Sequence, residues 1–329
     1  MASAKSPPSL ATALLVAAGI VVLQAVLVPL FAGLAANAEP RDLPVLVAGP
    51  APAADQLATR LAQERPGAFE ITRVESAAAA DQALRDREGY AAFVLGPGGV
   101  SLHTASAASP VVAQLLTSAA TEIGGGQVVP VRDVVPGSPD DPRGAGFAAG
   151  FLPLALTSML AGIVLALVVP GRWARLAGLV VYAVLAGLAG AAVLQSWLGV
   201  LGGDFLMVAA AIGLFALATA GLVLGLGAAL GGPGIGLGAL LAFLVGNPLS
   251  AVAAAPELLP QPWGLVGQWL PPGAGGALLR SVAWFDSAGS EQPLWTLGGT
   301  AVLGIALVLV GRASFGRVSE ATAAQAPAG

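Results

Sequence analysis

Six apolar runs decide most of what this 329-residue chain can become: Leu10–Ala36, Phe147–Val169, Leu176–Leu201, Phe205–Leu230, Gly234–Ala255 and Trp295–Val310. About 20 apolar residues cross a bilayer core as a helix. The runs therefore predict an α-helical polytopic membrane protein with six transmembrane helices, embedded in a lipid bilayer. Charge agrees, since only 10% of residues are Asp, Glu, Lys or Arg, against roughly 25% in an ordinary soluble domain. The first run ends beside Ala36-Asn37-Ala38, which resembles a signal-peptidase site. It is much longer than the roughly 7–15 residues of a signal h-region, so it reads as an uncleaved anchor.

Charges between the runs set the expected orientation. With the N-terminus inside, the inner segments hold Lys5, Arg172, Arg175, Arg312 and Arg317 against Glu320 alone. The short outer segments hold Arg280 with Asp204, Glu257, Asp286 and Glu291. Lysine and arginine concentrate on the cytoplasmic side of membrane proteins. The expectation is a multi-pass protein of the cell (plasma) membrane with both termini cytoplasmic and residues 38–145 extracytoplasmic.

That long segment differs in kind from the rest. It carries thirteen of the eighteen acids and eight of the fourteen basic residues. "LPVLVAG" and the period-two "FEITRV" read as strands, and "ADQLATRLAQE" as an amphipathic helix. "SAAAADQALRDRE" reads as a helix with Ser76 as its N-cap. "YAAFVLG" and "GVSLHT" read as a hairpin, "SPVVAQLLTSAATEI" as a third helix, and "QVVPVRDVV" as the path back to the membrane. The order β-α-β-α-β-β-α predicts an extracytoplasmic α/β domain between helices 1 and 2. The domain plan is then 1–37, tail and helix 1; 38–145, α/β domain; 146–255, helices 2–5; 256–294, an outer segment; and 295–329, helix 6 and tail.

The outer segment and its approach, "GNPLSAVAAAPELLPQPWGLVGQWLPPGAGGALLRSVAWFDSAG", hold six prolines and three tryptophans. Asn247-Pro248 is expected to kink or end helix 5. The rest is too apolar for a free loop and too broken for a span. Trp263, Trp269 and Trp284 are of the type that settles at headgroup level. "GALLRSVAWF" reads as a short amphipathic helix with Arg280 on its wet side. A re-entrant or interfacial element is expected, because irregular backbone at membrane depth needs cover from protein or a wet cavity. Its candidate gate residues are Asn247, Pro248, Pro260, Trp263, Trp269, Pro271, Pro272 and Arg280.

This plan, with Leu259-Pro260, Leu270-Pro271-Pro272-Gly273 and Leu279-Arg280, resembles the type-2 ABC transporter permease superfamily, nearest to its phage-infection-protein-like (YhgE/Pip) branch. The resemblance implies a homodimeric or paired permease forming an export path powered by a separate cytoplasmic ATPase. On that reading Arg172 and Arg175, in the inner loop, are the expected inner contact with a partner. Such permeases usually carry an amphipathic helix before span one and a coupling helix between spans two and three. Here the N-terminal tail is short, and the inner loop "PGRWAR" spans six residues.

Other chemistries find little footing. The chain has no cysteine and one histidine, His103; a lone strand histidine without Cys/His partners is a surface or core residue before it is a ligand. Asp140-Asp141 reads as a solvated turn before Pro142. There is no P-loop. "GIGLGA" opens a membrane helix and follows no strand, so it does not read as a dinucleotide site. No cofactor, metal, catalytic set or nucleic-acid partner is expected. The spans hold only neutral polar groups such as Gln195, Ser196 and Thr219, which argues against a proton-coupled carrier. Gly187, Gly190 and Gly221-x-x-x-Gly225 read as close helix packing. Two functions stay open: a permease-like subunit exporting an apolar or amphipathic substrate, or a non-transporting scaffold or receptor whose outer domain binds envelope components.

Overall fold

The computed structural model describes residues 10–123 and 128–311. Lys5, Arg312, Arg317 and Glu320, which enter the orientation count, and Gln127, which opens the last expected strand, lie outside the described residues. In chain order the elements begin with α1 (Leu10–Ala36), β1 (Leu43–Ala48), α2 (Ala51–Glu64), β2 (Phe69–Val74), α3 (Ala77–Arg85), β3 (Ala91–Gly96) and β4 (Gly99–Thr104). Then come α4 (Pro110–Ile123), β5 (Val131–Asp133), α5 (Ala145–Val168), α6 (Arg172–Trp197), α7 (Phe205–Leu230) and α8 (Gly232–Leu249). The last are α9 (Trp263–Gln268), α10 (Pro271–Trp284) and α11 (Glu291–Val310).

Six of these, α1, α5, α6, α7, α8 and α11, are long and apolar enough to cross a membrane. That is consistent with a multi-pass membrane protein. α7 is the hub, packed against α5, α6, α8, α10 and α11. It begins where the Asp204 side chain accepts from the Leu206 and Met207 amides at 2.9 and 3.0 Å, satisfying two donors that the first turn leaves open. Its contacts are close because glycines line them. A Cβ on Gly187 of α6 would collide with the Ala209 carbonyl of α7, and one on Gly304 of α11 with the Gly221 backbone. At the end of α7, Gly231 alone joins it to α8 and takes φ +72°, a conformation glycine adopts without steric cost.

α8 departs from the expected span. It runs in π geometry over Leu240–Val245 and ends at Leu249. Pro248 lacks the N–H that the preceding turn needs, so the residues up to Ala255 leave the helix. The 170–175 region is also reshaped: α6 starts at Arg172, leaving only residues 169–171 as a connection.

The α/β domain has a five-stranded sheet in the order β2-β1-β3-β4-β5. β1 pairs parallel with β2 and β3, β3 antiparallel with β4, and β4 parallel with β5. α2 and α4 cover one face through Leu57, Leu61, Val112 and Leu116; α3 covers the other through Ala80 and Leu84. Both cores are completed from far along the chain. Ala255 and Leu258 join the first, and Phe285 the second. The segment between α8 and α11 therefore packs on the domain as well as on the bundle.

Candidate functional site

The segment between α8 and α11 encloses a cavity of about 260 Å³ where the α/β domain meets the bundle. Four ionisable side chains from three regions line it: Arg87 after α3, Tyr90 before β3, Glu257 in a 3₁₀ turn (Pro256–Leu258), and Arg280 in α10. Arg87 has φ +63°, where a helix end usually places glycine. This backbone turns its side chain into the junction. One guanidinium nitrogen donates to the Ala277 carbonyl at 3.1 Å and to Ser281 Oγ at 2.5 Å, and the group lies 5.2 Å from the Phe285 ring centre.

Arg280 is only 6% exposed. It donates to the Val252 carbonyl at 2.9 Å and sits 4.4 Å over the Phe147 ring. Among the described residues its Nε has no hydrogen-bond partner. The wet-side expectation for Arg280 is thus corrected. α10 is buried on nearly every side, because its Pro-Pro-Gly-Ala-Gly-Gly start has no bulk to hold it off α7 and α11. Trp284, at the end of α10, is half-buried and packs edge-on against Phe147 at 5.8 Å.

Tyr90 Oη donates to Glu257 Oε2 at 2.8 Å. Burial pushes the Tyr90 hydroxyl well above its ordinary range, and the Glu257 charge adds to this. Burial also raises the Glu257 carboxyl, partly offset by hydrogen bonds from backbone and Tyr90 and by Arg87. Burial lowers Arg87. Neither Arg87 nor Arg280 forms an ion pair among the described residues. The cavity thus gathers two guanidinium groups around one carboxylate.

A second, apolar groove of about 430 Å³ lies beside it, lined by Phe31 and Leu34 of α1, Ala148 and Leu152 of α5, Asn247 and Leu259. Ser250, Ala251, Val252 and Ala254 line both spaces and so form the wall between them. Within that wall Ala251 takes φ +53°, a left-handed conformation that costs a non-glycine residue about 1–2 kcal/mol.

The expected gate residues divide accordingly. Asn247 and Pro248 line the groove and Arg280 the cavity. Pro271 and Pro272 are buried at the start of α10, Pro272 against Gly246. Pro260 is half-buried, while Trp263 and Trp269 are exposed at the surface of α9 and the turn after it. Arg172 and Arg175 lie at the opposite end of the bundle. Arg175 donates to the Val169 and Ala166 carbonyls at 2.8 and 2.9 Å, closing the end of α5. Arg172 is exposed beside Trp173 and reaches the Leu309 carbonyl at 3.4 Å.

Sequence reasoning passed over Arg87, Tyr90 and Glu257. They stand 167 to 194 positions from their partners, and only Arg87, non-helical after a strong helix pattern, carried any local signal. His103 is a core residue, its Nδ1 2.5 Å from Asp81 Oδ1, with Asp81 Oδ2 3.0 Å from Arg132. Asp141 accepts from the Phe147 amide at 2.7 Å and caps α5. Among the described residues no cluster of His, Cys, Asp or Glu fits a metal.

These features define a class: a helical chain with six membrane-length helices, an α/β domain at one end of the bundle, and a charged cavity between the two. Beyond that class, no protein-family model, no curated protein and no solved structure matches the chain.

Proposed function

We propose that the chain is the membrane subunit of an exporter for an apolar or amphipathic substrate, working as a pair of such subunits and driven by a separate ATPase, with its α/β domain extracytoplasmic. The observation that carries this reading is the apolar groove between α1, α5 and the Asn247–Leu259 segment. It is bounded by α1, whose central window buries nothing against the rest of the protein, and by the exposed Phe31 and Leu152. A substrate arriving from lipid needs such a lateral opening, and it needs no membrane-buried acid or base.

The exposed Arg172 and Trp173 offer the docking surface for the ATPase. Arg175 is committed to α5 and makes a poor probe of docking. The test is affinity purification of the detergent-solubilised chain with mass spectrometry of its partners, repeated with Arg172→Glu and Trp173→Ala combined. A stoichiometric ATPase lost in the double variant supports the reading; no ATPase with either protein sinks it.

One observation favours the scaffold reading: the connections at this end are short, residues 169–171 and Gly231. Envelope proteins captured through residues 38–145, with no ATPase, would establish it.

A further inference from the structure

We propose that the cavity between the α/β domain and the bundle is a binding site for a monoanionic oxyanion, a phosphodiester or carboxylate, held between Arg87 and Arg280. The inference goes beyond the transport reading and holds equally for an exporter or a scaffold.

Charge is the first ground. A guanidinium removed from water without a counter-charge costs several kcal/mol, yet two face this space with Glu257 as the one lining carboxylate. With Glu257 ionised the lining carries one net positive charge. The second ground is incomplete satisfaction. Arg280 is 6% exposed, and its one hydrogen bond among the described residues is to the Val252 carbonyl, with Phe147 over its face. Its Nε is sealed within the protein without a partner, so the guanidinium is under-satisfied where buried donors are ordinarily paired.

Arginine forks match phosphate and carboxylate oxygens in a geometry that lysine does not reproduce. Positioning is the third ground: Arg87 follows the end of α3 at φ +63°, and its guanidinium is fixed at the cavity by the Ala277 carbonyl and Ser281 Oγ. Size narrows the ligand: about 260 Å³ lies below the roughly 300–1,000 Å³ of a site that swallows a drug-sized molecule. A volume of this scale suits a headgroup.

The purified full-length protein is titrated with dihexanoyl phosphatidylglycerol, with zwitterionic dihexanoyl phosphatidylcholine, and with dimethyl phosphate as a tail-free phosphodiester. Binding is read by calorimetry and by the shift of the melting transition. The phosphatidylglycerol should bind at least about tenfold tighter than the phosphatidylcholine, and Arg87→Gln and Arg280→Gln should each erase about a tenfold difference, as loss of a charge-assisted fork implies. Binding of dimethyl phosphate at equal strength assigns the site to a free anion, and binding of the lipid alone assigns it to a headgroup; either supports the proposal. If Arg280→Gln does not fold, Arg87→Gln carries the comparison, with Arg280→Lys showing whether charge without the fork suffices. No preference for either anionic probe, or a preference unchanged in the arginine variants, overturns it.

Discussion

α1 and α7 are near twins in length and apolar character, yet they live in different surroundings. None of the central window of α1 is buried within the protein, against 67% of that of α7. The difference comes from the partners' surfaces. α7 meets neighbours that present glycine or alanine wherever its backbone passes, as Gly187 of α6 and Gly304 of α11 do. In lipid, where no hydrophobic effect drives apolar helices together, small residues that permit close approach decide association. α1 touches the bundle only through its last turns, where Leu30 and Leu34 meet Leu249 and Leu259. Apolar character selects the membrane, and small residues at matching heights select the neighbour.

The sharpest way to break the comparison is to make the same substitution on both helices' contacts. Gly187→Leu and Gly304→Leu should each destabilise the bundle by about 3 kcal/mol or more, the upper range of overpacking. Gly19→Leu on α1 meets nothing within 4 Å and should change stability by less than about 0.5 kcal/mol. Thermal unfolding in one detergent compares all three. Equal losses would show that α1 is packed as tightly as α7.

Charge extends the contrast, because the membrane-length helices carry charged residues only in their first turns, at Arg172, Arg175 and Glu291, while four ionisable groups meet at the junction. The Glu257 carboxyl is raised in the folded protein, chiefly by burial. Its proton is therefore held where the unfolded chain has lost it, and the associated stability is fully present below the ordinary value of about 4.3. That stability is lost as pH rises through the folded value. The melting temperature should fall across this mildly acidic window, and Glu257→Gln should flatten the fall. The groups facing Glu257 are Tyr90, Arg87 and Glu70, so an unchanged slope in the variant would assign the titration elsewhere. Protonating Glu257 also raises the net charge of the cavity, so anion affinity should tighten as pH drops.

A smaller effect tests the start of α7. Asp204→Ala removes an acceptor for two amides and should cost about 1 kcal/mol, measured as the shift of the same melt. The smallest test concerns the wall between the two spaces. Ala251→Gly relieves a left-handed alanine while loosening the unfolded chain, two terms of about 1 kcal/mol each that oppose one another. The net change in stability should stay within about 1 kcal/mol; a larger loss would show that the alanine methyl itself packs the wall.

Much of the architecture was legible locally. The period-two alternation of Phe69–Val74, the serine cap of α3, the Asn247-Pro248 break and the glycines of α6 and α7 all act within a few residues of where they stand. Arg280 was misread for the same reason. Helical periodicity placed a charged residue on the face toward water, but the surface waiting there was Phe147, Val252 and Arg87, brought in from α5, the loop after α8 and the α/β domain.

The sequence by itself determined that this chain forms six helices long and apolar enough to cross a membrane and folds a small α/β unit between the first and second of them, because chain length, apolar runs and strand and helix periods are local quantities. Only the tertiary structure decided that α7 is the hub and α1 the outlier. It alone joined Arg87, Tyr90, Glu257 and Arg280, since burial and electrostatic environment belong to residues nearly 200 positions apart and leave no trace in the spacing of either.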